Sequence, residues 1–136
     1  DIGPTMWHSY YQPGTYTVTL TVSDGFLVSA PSSATVTVIN LPPVADAGPD
    51  QTVSKNVDPV RLNATNSSDP EGRPWTAAWR QVSGTPVTLV GANTPVPYFS
   101  IPKNIKPLPM QLVFEVKITD NWGASATDQV VITVTR

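Results

Sequence analysis

An all-β, antiparallel sandwich, present as one whole copy and part of a second, is the fold class this sequence predicts. Three observations predict it. Residues 1–40, moved along by 96 positions, lie on residues 97–136 without a gap. Pro13 then falls on Pro109, Asp24 on Asp120, Ser29 on Ser125, Ala30 on Ala126, Thr37 on Thr133 and Val38 on Val134. Next, apolar residues recur at every second position in several short runs, the period of a half-buried strand. Finally, the 15 prolines among abundant Val and Thr leave no stretch suited to a long helix. The expected organisation is therefore the C-terminal part of one repeat at 1–40 and a complete repeat at 41–136. Tandem copies of one domain point to a spacer or adhesive array more than to catalysis.

The elements follow in order. Residues 13–24, PGTYTVTLTVSD, open with a turn; Tyr16, Val18, Leu20 and Val22 share one face, and Thr15, Thr17, Thr19 and Thr21 the other. Asp24-Gly25 makes a turn, and 33–39 returns as a second strand with Ala34, Val36 and Val38 inward. Asn40-Leu41-Pro42-Pro43 is a short, stiff linker, because consecutive prolines cannot join a ladder and hold the chain extended. Further strands are expected near 44–47, 51–54, 59–64, 76–82, 87–90, 96–101, 111–120 and 127–135. Turn chemistry separates them: Ala47-Gly48-Pro49-Asp50, the run from Ser67 to Gly72, Ser83-Gly84, Pro102 through Pro109, and Asn121-Trp122-Gly123.

A tryptophan on the third strand packs between the sheets of immunoglobulin-like sandwiches, and Trp79 is placed for that role. Val60, Leu62 and Ala64 are expected to face it from the second strand, Phe114 and Val116 from the sixth and Ile132 from the last. Phe99 and Ile101 close one end.

Composition narrows function. A net charge of −2, with 13% charged residues and no basic stripe, removes the electrostatic footprint of a nucleic-acid binder. With no cysteine there are no disulfides, thiolate metal sites or cysteine nucleophile. No apolar run approaches the roughly 18–20 residues that cross a bilayer, so no direct membrane insertion is expected.

The runs PPVADAGPDQTV at 42–53, VRLNATNSSDPEG at 60–72, WRQVSG at 79–84, PYFSIP at 97–102 and LVFEVKITDNWGASATDQVVITVT at 112–135 occur in this order. Together they resemble the polycystic-kidney-disease (PKD) type of immunoglobulin-like repeat. The likeness is to the subgroup found in tandem in large bacterial and archaeal surface proteins and some animal cell-surface proteins. It spans 42–135, and residues 10–38 look like the closing third of a preceding repeat. The resemblance implies a secreted, extracellular or cell-surface, non-enzymatic module used as a spacer or for contacts with proteins or carbohydrate. Where many such repeats carry a WDFGDG-like run, this chain has WRQVSG, which fits the surface-protein subgroup. The family brings no catalytic residues.

Candidate sites are few. His8 is the one histidine, and no triad partner is nominated for it; no enzymatic role is expected. Asp46, Asp69, Glu71 and Asp120 fall near one pole of such a sandwich, beside Pro42-Pro43. They are candidate ligands for calcium, a hard cation that takes six to eight oxygens at about 2.3–2.6 Å. The competing reading is that these acids cap turn amides, since DPEG and DNWG are turn sequences in their own right. No cofactor is required. Trp75 and Trp122, in two loops of that pole, are candidate sugar-stacking residues; alternatively Trp75 caps the core and Trp122 packs on a neighbouring repeat. Asn63 and Asn66 match the N-glycosylation acceptor pattern, relevant only in a glycosylating host.

Residues 1–40 would by themselves form a hairpin with one bare apolar face. Either they are a piece of a longer chain, or strands from another chain complete them, which would make a fibre subunit. The reading adopted is a structural spacer or adhesive segment of a larger repeat protein, contacting neighbouring repeats and other surface proteins or polysaccharide. The alternatives are a carbohydrate-binding accessory module and the fibre subunit.

Overall fold

Eight strands and no helix make up residues 5–136, the part of the chain that the computed structural model describes. Residues 1–4, which fall in the expected incomplete repeat 1–40, lie outside the described residues. The chain forms two compact units, Asp1–Asn40 and Leu41–Arg136.

In the first unit β1 (Gly14–Leu20) and β2 (Ser32–Val38) pair antiparallel, Gly14 opposite Val38 and Leu20 opposite Ser32. Thr19 and Ser33 join hydroxyls across the pair at 3.0 Å. The reversal is held by Asp24, whose Oδ1 accepts from the amides of Phe26 and Leu27, both at 2.9 Å. Before the hairpin, His8 meets Tyr10 edge to face at 4.6 Å, and Tyr10 lies 4.3 Å from Tyr16.

The second unit is the sandwich. One sheet runs in the order β3 (Gln51–Ser54), β8 (Ser125–Thr135), β7 (Met110–Asp120), β5 (Trp75–Ser83). β3 is parallel to β8; the other neighbours are antiparallel. Opposite lies the pair β4 (Val60–Arg61) and β6 (Tyr98–Phe99). This second sheet is longer than its regular strands. Leu62 donates to the carbonyl of Pro97 and Ala64 to that of Pro95, at 2.9 and 2.8 Å. Prolines accept but cannot donate, so the expected strands 59–64 and 96–101 pair through only half a ladder. The expected strands at 44–47 and 87–90 are reduced to single bridges, Val44 with Ser68 and Val90 with Tyr98.

The core lies between the sheets. Val60, Leu62, Ala64, Trp79, Phe99, Ile101, Phe114, Val116 and Ile132 are all buried, as the alternation requires. Leu112, Ile118, Val130 and Val134 join them from β7 and β8. Phe99 and Phe114 meet across the sandwich with ring centroids 4.9 Å apart. The Trp79 indole nitrogen is buried without a hydrogen-bond partner; the ring is there for its volume. β5 ends in a bulge after Gln81, whose side chain bonds the carbonyls of Ser83 and Thr85 and the amide of Val87. Gly84 follows at φ +95°, where a Cβ would stand 2.5 Å from the Gln111 carbonyl oxygen. Only glycine allows that approach.

Candidate functional site

β5 begins and β7 ends at the same pole, because Trp75 pairs with Asp120. The turn 69–73 and the turn 120–124 therefore lie side by side. Their contact is made by Arg73, whose guanidinium carbon sits 3.5 Å from the centre of the Trp122 ring. This is stacking distance for a cation on an aromatic face. Asp69, Glu71, Trp75, Asp120 and Trp122 are thus brought to one pole. Asp46 is tied in through Ser67, whose Oγ accepts from the Asp46 amide at 3.0 Å.

Each acid is engaged with backbone. Asp69 is buried, and its Oδ1 accepts from the amides of Glu71 and Arg73, both at 3.0 Å. Asp120, also buried, repeats the arrangement with Trp122 and Ala124 at 2.8 and 3.0 Å. Asp46 Oδ1 accepts from Gly48 at 2.7 Å, and Glu71 Oε1 from Leu41 at 2.9 Å. These are Asx-type turns and a linker clamp. The four candidate calcium ligands are spread over separate amide partners, and among the described residues no three acidic, histidine or cysteine side chains group to hold a metal ion.

The candidate sugar-stacking residues have other partners too. Trp75 is half-buried and packs against the core, and Arg73 occupies one face of Trp122. Asn66 is exposed in a turn. Asn63 is also exposed, and its Oδ1 accepts from the Thr65 amide at 2.8 Å. His8 meets the Tyr10 ring, and among the described residues no acid partners it.

Sequence reasoning missed how residues 41–47 are fastened. Val44 and Ser68 exchange two backbone bonds of 2.7 and 3.0 Å, and Ala47 donates to Asp128 Oδ2 at 2.8 Å. Asp50 Oδ1 accepts from Val131 at 2.8 Å. These last two bonds join residues 81 positions apart, and no local pattern announces them. Arg73 was missed as well; its one signal is its place beside Pro74-Trp75.

A second feature lies at the opposite pole, where β3 and β8 end and β7 begins. Lys55, Lys103, Ile105, Lys106, Pro107, Leu108 and Arg136 line an open cleft of ≈ 550 Å³.

Comparison with known proteins fits this architecture. Residues 47–134 match the family described as K319L-like, PKD domain. The chain is 32% identical over 128 residues to the mouse dyslexia-associated protein KIAA0319-like protein, covering 90% of this chain and 12% of that protein. The chain thus spans about an eighth of that relative's length. The solution structure of the PKD domain from the KIAA 1837 protein aligns with TM-score 0.55 and 26% identity, over 67% of this chain and 84% of that one. A nucleoside hydrolase-related hypothetical protein from Saccharophagus degradans, associated with carbohydrate metabolism, aligns with TM-score 0.58 at 21% identity over 71% of this chain and 26% of that one. That last likeness is one of fold alone.

Proposed function

Because the chain belongs to the K319L-like PKD-domain family, we propose that it is a non-catalytic spacer or adhesive segment of an extracellular or cell-surface protein, built to carry tension. The observation that carries the proposal is the parallel pairing of β3 with β8, the first and last strands of the second unit's main sheet. Gln51 lies opposite Ile132 and Ser54 opposite Thr135. Tension entering before β3 and leaving after β8 pulls these strands along their lengths in opposite directions. All the bonds between them then resist together. Strands pulled apart from one end break their bonds one pair at a time. The clamps on residues 41–47 add resistance on the N-terminal side.

Single-molecule pulling tests this. The chain has no cysteine, so attachment points can be chosen freely. Handles at Leu41→Cys and Arg136→Cys load β3 against β8 in shear. Handles at Gln111→Cys and Arg136→Cys load β7 and β8 from adjacent ends, since Met110 lies opposite Val134. The first geometry is expected to unfold at a markedly higher force than the second. Equal forces would remove the tension-bearing role, because forced unfolding reads the kinetic barrier directly.

A further inference from the structure

We propose that the cleft at the β3–β8 end of the second unit is a docking site for a sulfated polysaccharide. This goes beyond the spacer reading, and it lies at the pole opposite Trp75 and Trp122.

The charge distribution is the first argument. All eight Lys and Arg lie between residues 55 and 136, and four of them, Lys55, Lys103, Lys106 and Arg136, line this one cleft. All four are exposed, and among the described residues none makes an ion pair, the only salt bridge being Arg80 with Glu115. Four cations lining one cleft, with no ion pair among them, make a site of one sign of charge that favours an anion. The carboxylate of Asp58 lines the adjoining cleft with Lys55, Asn56, Ile101 and Lys103.

The lining sets the chemistry. Ile105 is buried, Leu108 half-buried and Pro107 exposed, and the three give the cleft apolar surface among its cations. A sulfated sugar chain matches both parts: sulfates and carboxylates at its edges, C–H faces of the rings between them. The volume lies within the range of sites that hold small organic ligands. A single-stranded nucleic acid would call for an aromatic stacking platform, and no aromatic residue lines the cleft. An acidic peptide such as polyglutamate would satisfy the cations but bring no ring faces to the apolar lining.

Comparison within the chain supports a feature specific to this unit. Ninety-six positions earlier, Lys103, Lys106 and Arg136 are matched by Trp7, Tyr10 and Asn40. The hairpin does not need these cations to form, since the uncharged version pairs in the same register.

The test is calorimetric titration of the full chain with a heparin-derived hexasaccharide, its desulfated counterpart and hexaglutamate, in 0.05 and 0.2 M salt. The sulfated sugar is expected to bind, and to lose about tenfold or more between the two salts as condensed ions compete. Lys103→Glu with Lys106→Glu is expected to weaken it by at least about tenfold. Lys117→Glu, an exposed change in mid-β7, should leave it unaltered. On the unmodified chain, NMR shifts induced by the hexasaccharide should concentrate at Lys55, residues 103–108 and Arg136, a readout independent of any variant. Four outcomes would each overturn the proposal: no binding by the sulfated sugar, an equal loss in Lys117→Glu, hexaglutamate binding as tightly, or shifts elsewhere.

Discussion

The hairpins β1–β2 and β7–β8 are close copies in pairing and opposites in burial. Shifted by 96 positions their registers coincide: Gly14–Val38 becomes Met110–Val134, and Thr19–Ser33 becomes Glu115–Gln129. Both alternate apolar and polar residues, and both close with an aspartate that accepts two turn amides. Yet Val18 and Leu20 are 45% and 61% exposed, whereas their counterparts Phe114 and Val116 are fully buried. Alternation therefore specifies a strand and its register but not a core. A core needs a second sheet, which the second unit supplies with β4 and β6; among the described residues of the first unit, the hairpin is the only sheet.

The largest way to break this comparison is to empty the buried side of it. Trp79→Ala is expected to cost about 3–5 kcal/mol, by loss of transfer energy and the cavity left behind. Trp79→Phe should cost much less, because the indole nitrogen it removes has no partner. Val18→Ala, on the exposed face, should change stability by about 0.5 kcal/mol or less. Urea denaturation followed by far-ultraviolet circular dichroism would measure all three. A loss at Val18 close to that at Trp79 would mean that the first hairpin's apolar face is packed in solution.

What was legible in the sequence divides along the same line. The long strands and the core positions follow from period two, which is a property of neighbouring residues. The short strands misled where prolines intervene, since Pro95 and Pro97 leave a ladder that accepts without donating. The turn roles of Asp69 and Asp120 were readable from DPEG and DNWG as one of two readings, because an Asx turn needs only residues close in sequence. The Arg73–Trp122 stack, the Asp50 and Asp128 bonds and the cationic cleft were not readable. Each joins residues far apart in sequence, and no local spacing records them.

A sharper contrast compares the two turn aspartates. Asp120 is buried, so Asp120→Ala would leave the Trp122 and Ala124 amides without their acceptor in a site water reaches poorly. The expected cost is roughly 1–3 kcal/mol, that of unsatisfied buried donors. Asp24 also accepts two turn amides, those of Phe26 and Leu27, but in the open. Its carboxyl is held below its ordinary value chiefly by the Leu27 amide and then by the Phe26 amide. Water can replace the carboxylate there, so Asp24→Ala should cost clearly less in the same denaturation assay. Equal costs would show that the turn bond itself, and not its burial, sets the stability.

The smallest expected effect concerns Glu115 and Gln129, which stand where the first hairpin has Thr19 and Ser33. Glu115 Oε2 accepts from Gln129 at 3.0 Å, and Oε1 from Arg80 Nε at 2.8 Å. The Gln129 bond first, and Arg80 second, hold its carboxyl below an ordinary value near 4.5. A carboxyl with a depressed folded pKa binds its proton more weakly folded than unfolded. Its contribution to stability is therefore complete above the unfolded pKa and is lost as pH falls through the folded one. Arg80 is largely exposed, so the effect is modest and screened by salt. Glu115→Gln should flatten the acid limb of the stability–pH curve slightly below about pH 4.5, and 1 M salt should shrink the difference. The Thr19–Ser33 pair has nothing to titrate, so that limb should not respond to Thr19→Val. If Thr19→Val altered it as much as Glu115→Gln, the pH dependence would belong to the strand pairing and not to the carboxylate.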